Sequence, residues 1–232
     1  MTLPFLDSNN NVFDKQKMDD PLGAWRQLTL NIIANPQNIK LHTQRIMLAM
    51  DPHLQPYLSG ALQDVFITLQ AKGRPLKEKL FNLASPLLES NIRSYFKQWL
   101  DENSDAMIAC VPYPGSVLSS DNCNKSTESD SSADDIAALD NFLSDNYDNT
   151  IDRVRYCVAY GDIDHAQKIL ELEITLAHNN SQQTTLVEQE LLSIYYHSKN
   201  KSALDKMSDS LLKNNKVLSA DWKKVQSIAN EW

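Results

Sequence analysis

Apolar residues recur every three to four positions along most of this chain, and strict alternation over strand length is rare, so the pattern predicts an all-α protein. A first helix begins at Asp20-Pro21, where proline suits the first turn because its missing N–H costs nothing there. It carries Trp25, Leu28, Ile32 and Ile33 and stops at Asn35-Pro36. Ile39, Leu41, Ile46, Leu48 and Met50 form the stripe of a second helix, which Asp51-Pro52 ends. Leu58, Leu62, Val65, Phe66 and Leu69 mark a third, ended by Lys72-Gly73, and Leu76, Leu80, Phe81 and Leu83 a fourth. Ser85-Pro86 introduces a fifth with Leu88, Ile92, Tyr95, Phe96, Trp99 and Leu100. Residues 24–48 can be laid on 61–85, although amphipathic helices of similar length also match by chance.

Residues 151–212 repeat one helix-turn-helix pattern. The first copy runs Val154, Cys157, Val158 and Tyr160, then Gly161-Asp162, then Ala166, Ile169, Leu170 and Ile174. The second runs Leu191, Leu192, Tyr195 and Tyr196, then the polar turn Ser198-Lys199-Asn200-Lys201, then Ala203, Met207, Leu211 and Leu212. Ala166 and Ala203 are 37 positions apart, close to the period of about 34 residues in tetratricopeptide repeats. Two helices joined by a tight turn cross closely only where the facing residue is small, so both alanines are expected at crossings. One pair cannot bury its apolar face alone, so such pairs stack and present a groove. Ser219 reads as the N-cap of a closing helix with Trp222, Val225, Ile228, Ala229 and Trp232.

Between the two helical regions the pattern breaks. Residues 104–135 are rich in Ser, Asp and Asn, and Lys125 faces Asp105, Asp121, Glu128, Asp130, Asp134 and Asp135, a net of −5. Such a stretch lacks the apolar content to form a core and reads as a solvated tether. Tyr113 with Met107, Ile108 and Val111 offers the alternative of a segment anchored across one module. The expected division is therefore an extended segment 1–19, a helical module 20–103, an acidic linker 104–135 and a tetratricopeptide-like repeat domain 136–232. A short helix over Ala137–Leu143 opens the last.

Composition narrows the function classes. Hydrophobic residues make up 42% of 232, enough for a core. The net charge of −8 disfavours a nucleic-acid partner, which calls for a basic face. Met1–Asp7 gives way to Asn and Ser before any signal-peptide core, and no apolar run suffices to span a membrane. Three cysteines, Cys110, Cys123 and Cys157, make no disulfide framework. A cytoplasmic protein is expected.

The C-terminal hundred residues resemble the cytoplasmic tetratricopeptide region of the FimV family of pilus-assembly and cell-pole landmark proteins. The likeness rests on Tyr160-Gly161-Asp162 with Ala166 and Leu170, on Leu191-Leu192 with Tyr195, Asn200, Ala203 and Leu204, and on Asp221-Trp222 with Val225 and Ile228-Ala229. It covers about 40% of the chain. The family's transmembrane segment and peptidoglycan-binding module have no counterpart here, and residues 1–103 resemble no known family. The resemblance implies a bacterial adaptor or scaffold.

No constellation points to chemistry. The five histidines are dispersed, so no metal and no cofactor is expected. Pro114-Gly115-Ser116 is the nearest nucleophile candidate, but it lacks the second glycine of a nucleophile elbow. Cys157 on an apolar stripe reads as a small buried hydrophobe. Aromatic and basic residues on or beside the first helices of the pairs are the candidate partner-binding set: Arg153, Tyr156, Tyr160, Tyr196 and Lys199. These lead to the expectation of a non-catalytic adaptor for a protein or peptide partner. The alternative is a structural subunit of a larger assembly that docks through the N-terminal module.

Overall fold

The computed structural model describes residues 20–70, 72–102, 113–119, 147, 149–176, 183–214 and 216–232, and the regular structure among them is all helix, with no strand. The helices are α1 (Pro21–Ala34), α2 (Ile39–Leu48), α3 (Leu58–Leu69), α4 (Arg74–Ala84), α5 (Ser90–Glu102), α6 (Thr150–Tyr160), α7 (Ile163–Leu176), α8 (Gln183–Ser198), α9 (Lys201–Lys213) and α10 (Ala220–Ala229). No helix among them is long and apolar enough to cross a membrane. The expected segment 1–19 and the expected short helix over Ala137–Leu143 lie outside the described residues.

The chain divides into two compact units. The N-terminal unit comprises Val12–Leu143 and also Val158–Asp162. In it α1 to α5 pack each against the next in chain order. Local chemistry starts these helices where the sequence predicts. Asp20 accepts from the Gly23 amide at 2.8 Å, and Pro21 follows in the first turn. Gly73 takes a left-handed φ of 71° at the entry to α4. The fifth helix starts later than predicted, because Ser85–Leu87 forms a separate 3-10 turn. Trp25, Leu58, Leu62, Phe66 and Phe96 are among the core residues.

Two departures concern which residues reach that core. On α2 the buried positions are His42, Arg45 and Ile46, followed by Ala49, while Ile39, Leu41, Leu48 and Met50 are only partly covered. The polar residues sit on the face that turns toward α1 and α3. Within the stretch read as a linker, residues 113–119 are packed into this unit, with Gly115 and Ser116 buried. They are no solvated tether, because Tyr113 stacks on Phe96 and a buried carboxylate holds the backbone behind it. The rest of 104–135 lies outside the described residues.

The C-terminal unit contains Ser144–Cys157 and Ile163–Trp232. Here α8 is the central helix, packed against α7, α9 and α10. Residues 191–195 of α8 are all buried, wider than the one stripe the sequence predicts, because partners cover several sides. The turn from α8 to α9 forms as read: Lys199 adopts φ 51° and the Asn200 side chain accepts from the Ala203 amide at 3.1 Å. Ser219 caps α10 through the Trp222 amide at 3.1 Å. Cys157 is buried, as expected of a small hydrophobe.

The two alanines do not behave alike. Ala166 is fully buried, whereas Ala203 is half-covered and Leu204 takes the buried place beside it. Leu212 likewise faces outward. Replacing Ala166 with Leu is therefore expected to lower stability by about 1–3 kcal/mol through overpacking. Ala203→Leu should change it by less than about 0.5 kcal/mol. Urea unfolding of the two variants measures the contrast, and equal losses would show that both alanines sit at closed helix crossings.

Candidate functional site

The candidate partner-binding residues fall into separate places. Arg153 donates from Nε to the Tyr147 carbonyl at 3.2 Å, and the Tyr147 and Tyr156 rings lie 5.6 Å apart, so Arg153 and Tyr156 meet around one tyrosine. Tyr196 packs edge-on against His197 and Trp232, with centroids at 5.4 and 6.2 Å. Lys199 stands exposed on the following turn. Tyr160 is exposed and belongs to the N-terminal unit, where its carbonyl accepts from the Gly115 amide at 2.6 Å.

A depression of about 370 Å³ opens in the C-terminal unit between α7 and α9. Met207 and Ala203 line it together with Gln167 and Glu171 on one helix and Lys206 and Ser210 on the other. Its walls thus come from α7 and α9, a face the sequence reading did not single out. Glu171 is fixed in place: it accepts from the Tyr195 hydroxyl at 2.7 Å and from Gln167 Nε2 at 2.7 Å. Burial and this carboxylate push the Tyr195 phenol far above its ordinary range.

A buried polar cluster in the N-terminal unit was also missed. Arg45 on α2 and Asp64 on α3 form an ion pair at 2.7 Å with both side chains fully buried. Asp64 also accepts from the Ser116 hydroxyl at 2.7 Å and from the amides of Val117 and Leu118 at 3.1 and 3.0 Å. Arg45 donates its other Nη to the Gly115 carbonyl at 2.6 Å and lies 4.0 Å from the centre of the Trp25 ring. Burial pushes the Asp64 carboxyl up from the usual range, against the pull of Arg45, Ser116 and the two amides. Burial likewise lowers the Arg45 guanidinium to about 10. Ser116, the nucleophile candidate, has its hydroxyl committed to this carboxylate, while His42 Nε2 is turned to the Pro36 carbonyl at 2.8 Å. The arrangement holds chain in place and sets up no Ser–His pair. One signal was available: His42, Arg45, Ile46 and Ala49 share one face of α2 by helical spacing.

Two buried imidazoles give a pH signature. Burial lowers His42 and His197 below the ordinary value of 6.5. At these two sites the folded state therefore binds fewer protons than the unfolded one, and their contribution to stability is complete above pH 6.5 and lost as pH falls below it. Urea midpoints measured from pH 7.5 to 5 should decline through that window. The decline should flatten in the His42→Gln, His197→Gln variant, and an unchanged slope would place it on other groups.

Compared with protein-family models, with curated proteins and with solved structures, the chain has no match.

Proposed function

We propose that this protein is a non-catalytic adaptor that holds a protein or peptide partner on paired, tetratricopeptide-like helices of its C-terminal unit. The observation that carries this reading is the depression between α7 and α9. Its lining combines the apolar Met207 and Ala203 with a carboxamide, a carboxylate and an ammonium, a mixture suited to a polypeptide rather than to a small apolar ligand. The buried Ala166, the packing of α8 against α7 and α9 and the capped closing helix support the repeat reading. The resemblance of this region to the FimV family supports a bacterial scaffold role, and the depression stands independently of that resemblance.

A photo-crosslinking residue placed at Ser202 or Ser210 in the full chain tests it in cells. Crosslinks to a defined protein, abolished by Ala203→Trp filling the depression, are the expected result. Crosslinks that survive Ala203→Trp, or a partner captured only from Leu83 on α4, would favour the docking-subunit alternative.

A further inference from the structure

The N-terminal unit grips residues Tyr113–Ser119 in the way a receptor grips a peptide. Most of the polar contacts go to main chain. The Gly115 carbonyl takes Arg45 Nη2 at 2.6 Å, and the amides of Val117 and Leu118 give to Asp64 at 3.1 and 3.0 Å. The Tyr113 amide reaches Gln63 Oε1 at 3.4 Å. One large side chain enters an aromatic seat: Tyr113 stacks on Phe96 with centroids 5.8 Å apart and meets Trp99 edge-on at 6.3 Å. One small one is read by chemistry, the Ser116 hydroxyl donating to Asp64 at 2.7 Å.

The shape of the receiving surface fits the same description. Gly60 on α3 lies directly under the crossing chain, and any Cβ there would strike the Pro114 and Ser116 backbone. Gly115 takes φ 85° and rests on Trp25 and Tyr57, where a side chain would collide. The segment closes a turn, the Ser116 amide donating to the Tyr113 carbonyl at 3.0 Å with Pro114 and Gly115 at its centre. Hydrogen bonds to its main chain hold it, while the turn and the close approaches choose which sequence fits. Here they choose an aromatic residue, then Pro-Gly, then a small hydroxyl residue. Gly115 also donates to the Tyr160 carbonyl at 2.6 Å, so Val158–Asp162 of the same unit covers the seated segment.

We infer that α3, with α2 and α5, forms a peptide-recognition cleft for an aromatic-Pro-Gly-Ser turn, and that the chain fills this cleft with its own residues 113–119. This cleft is separate from the depression between α7 and α9 and does not depend on the adaptor reading. An occupant on the same chain has a high effective concentration, so a free peptide enters only when the resident segment is weakened.

The test uses the full chain carrying Tyr113→Ala with Ser116→Ala and a fluorescent peptide of residues 111–121, followed by anisotropy. The variant should bind this peptide at least tenfold more tightly than wild type does, and at least tenfold more tightly than it binds a scrambled peptide. Adding Gly60→Ala should remove the gain by blocking the crossing. A folded variant, verified by circular dichroism, that binds neither peptide better than wild type overturns the inference. Amide hydrogen exchange on wild type decides the case where the variant fails to fold. Gly115, Val117 and Leu118 should exchange by local opening, at least tenfold faster than Val65 and Phe66 of α3. Exchange of all five only together would make residues 113–119 an inseparable part of the core and sink the cleft.

Discussion

Asp64→Ala is expected to cost the N-terminal unit about 3–5 kcal/mol, the usual penalty for removing one partner of a buried ion pair. Three losses add on this residue. The Arg45 guanidinium stays buried without its counter-charge, the Ser116 hydroxyl loses its acceptor, and the amides of Val117 and Leu118 lose theirs. Burial without a partner is what makes each of them costly. With domain stabilities of about 5–15 kcal/mol, such a loss leaves the unit marginal. Urea unfolding and hydrogen exchange of α1–α5 report it. The pair Arg45→Met with Asp64→Leu should lose less than Asp64→Ala alone, because no charge is then left buried. A loss below about 1 kcal/mol for the single variant would mean that the pair is solvated.

In the C-terminal unit the largest effect should come from Trp222→Ala, at about 3–5 kcal/mol for an emptied aromatic site. The indole is 1% exposed. It meets the Tyr195 ring edge-on at 6.3 Å and donates from Nε1 to the Ser208 hydroxyl at 2.7 Å. Trp222→Phe should lose much less. It keeps most of the apolar volume, and Ser208 retains the Gln226 donor at 2.9 Å. The missing hydrogen bond is worth about 1 kcal/mol. The measured quantities are the urea midpoint and the exchange protection of α8 and α10. Equal losses for the two variants would move the energetic weight from ring volume to the indole N–H.

Much of the helical architecture was legible in local sequence. Asp20-Pro21, Asn200 and Ser219 satisfy or remove orphan amides in the first turn of their own helices, so nothing distant is needed to read them. Trp25, Leu28, Leu62, Phe66 and Phe96 were predicted on apolar stripes and are buried. The reading erred where a residue's type and its surroundings disagree. Leu212 was read on an apolar stripe and is exposed, while Arg45 and Asp64, charged residues that no predicted stripe included, are wholly buried. The candidate partner-binding set shows the same limit. Arg153 and Tyr156 come together around Tyr147, but Tyr160 belongs to the other unit.

The sequence by itself determined that the chain is helical, where many of the helices begin and end, and which large apolar residues face inward. Those properties follow from hydrogen bonds four residues apart and from a 3.6-residue period. Only the tertiary structure decided that Arg45 would meet Asp64, and that Asp64 would hold residues 113–119 across 52 positions to Ser116. It alone decided that the C-terminal depression would lie between α7 and α9. A buried charge is tolerable only when its partner arrives from another element, and no local pattern records that arrival.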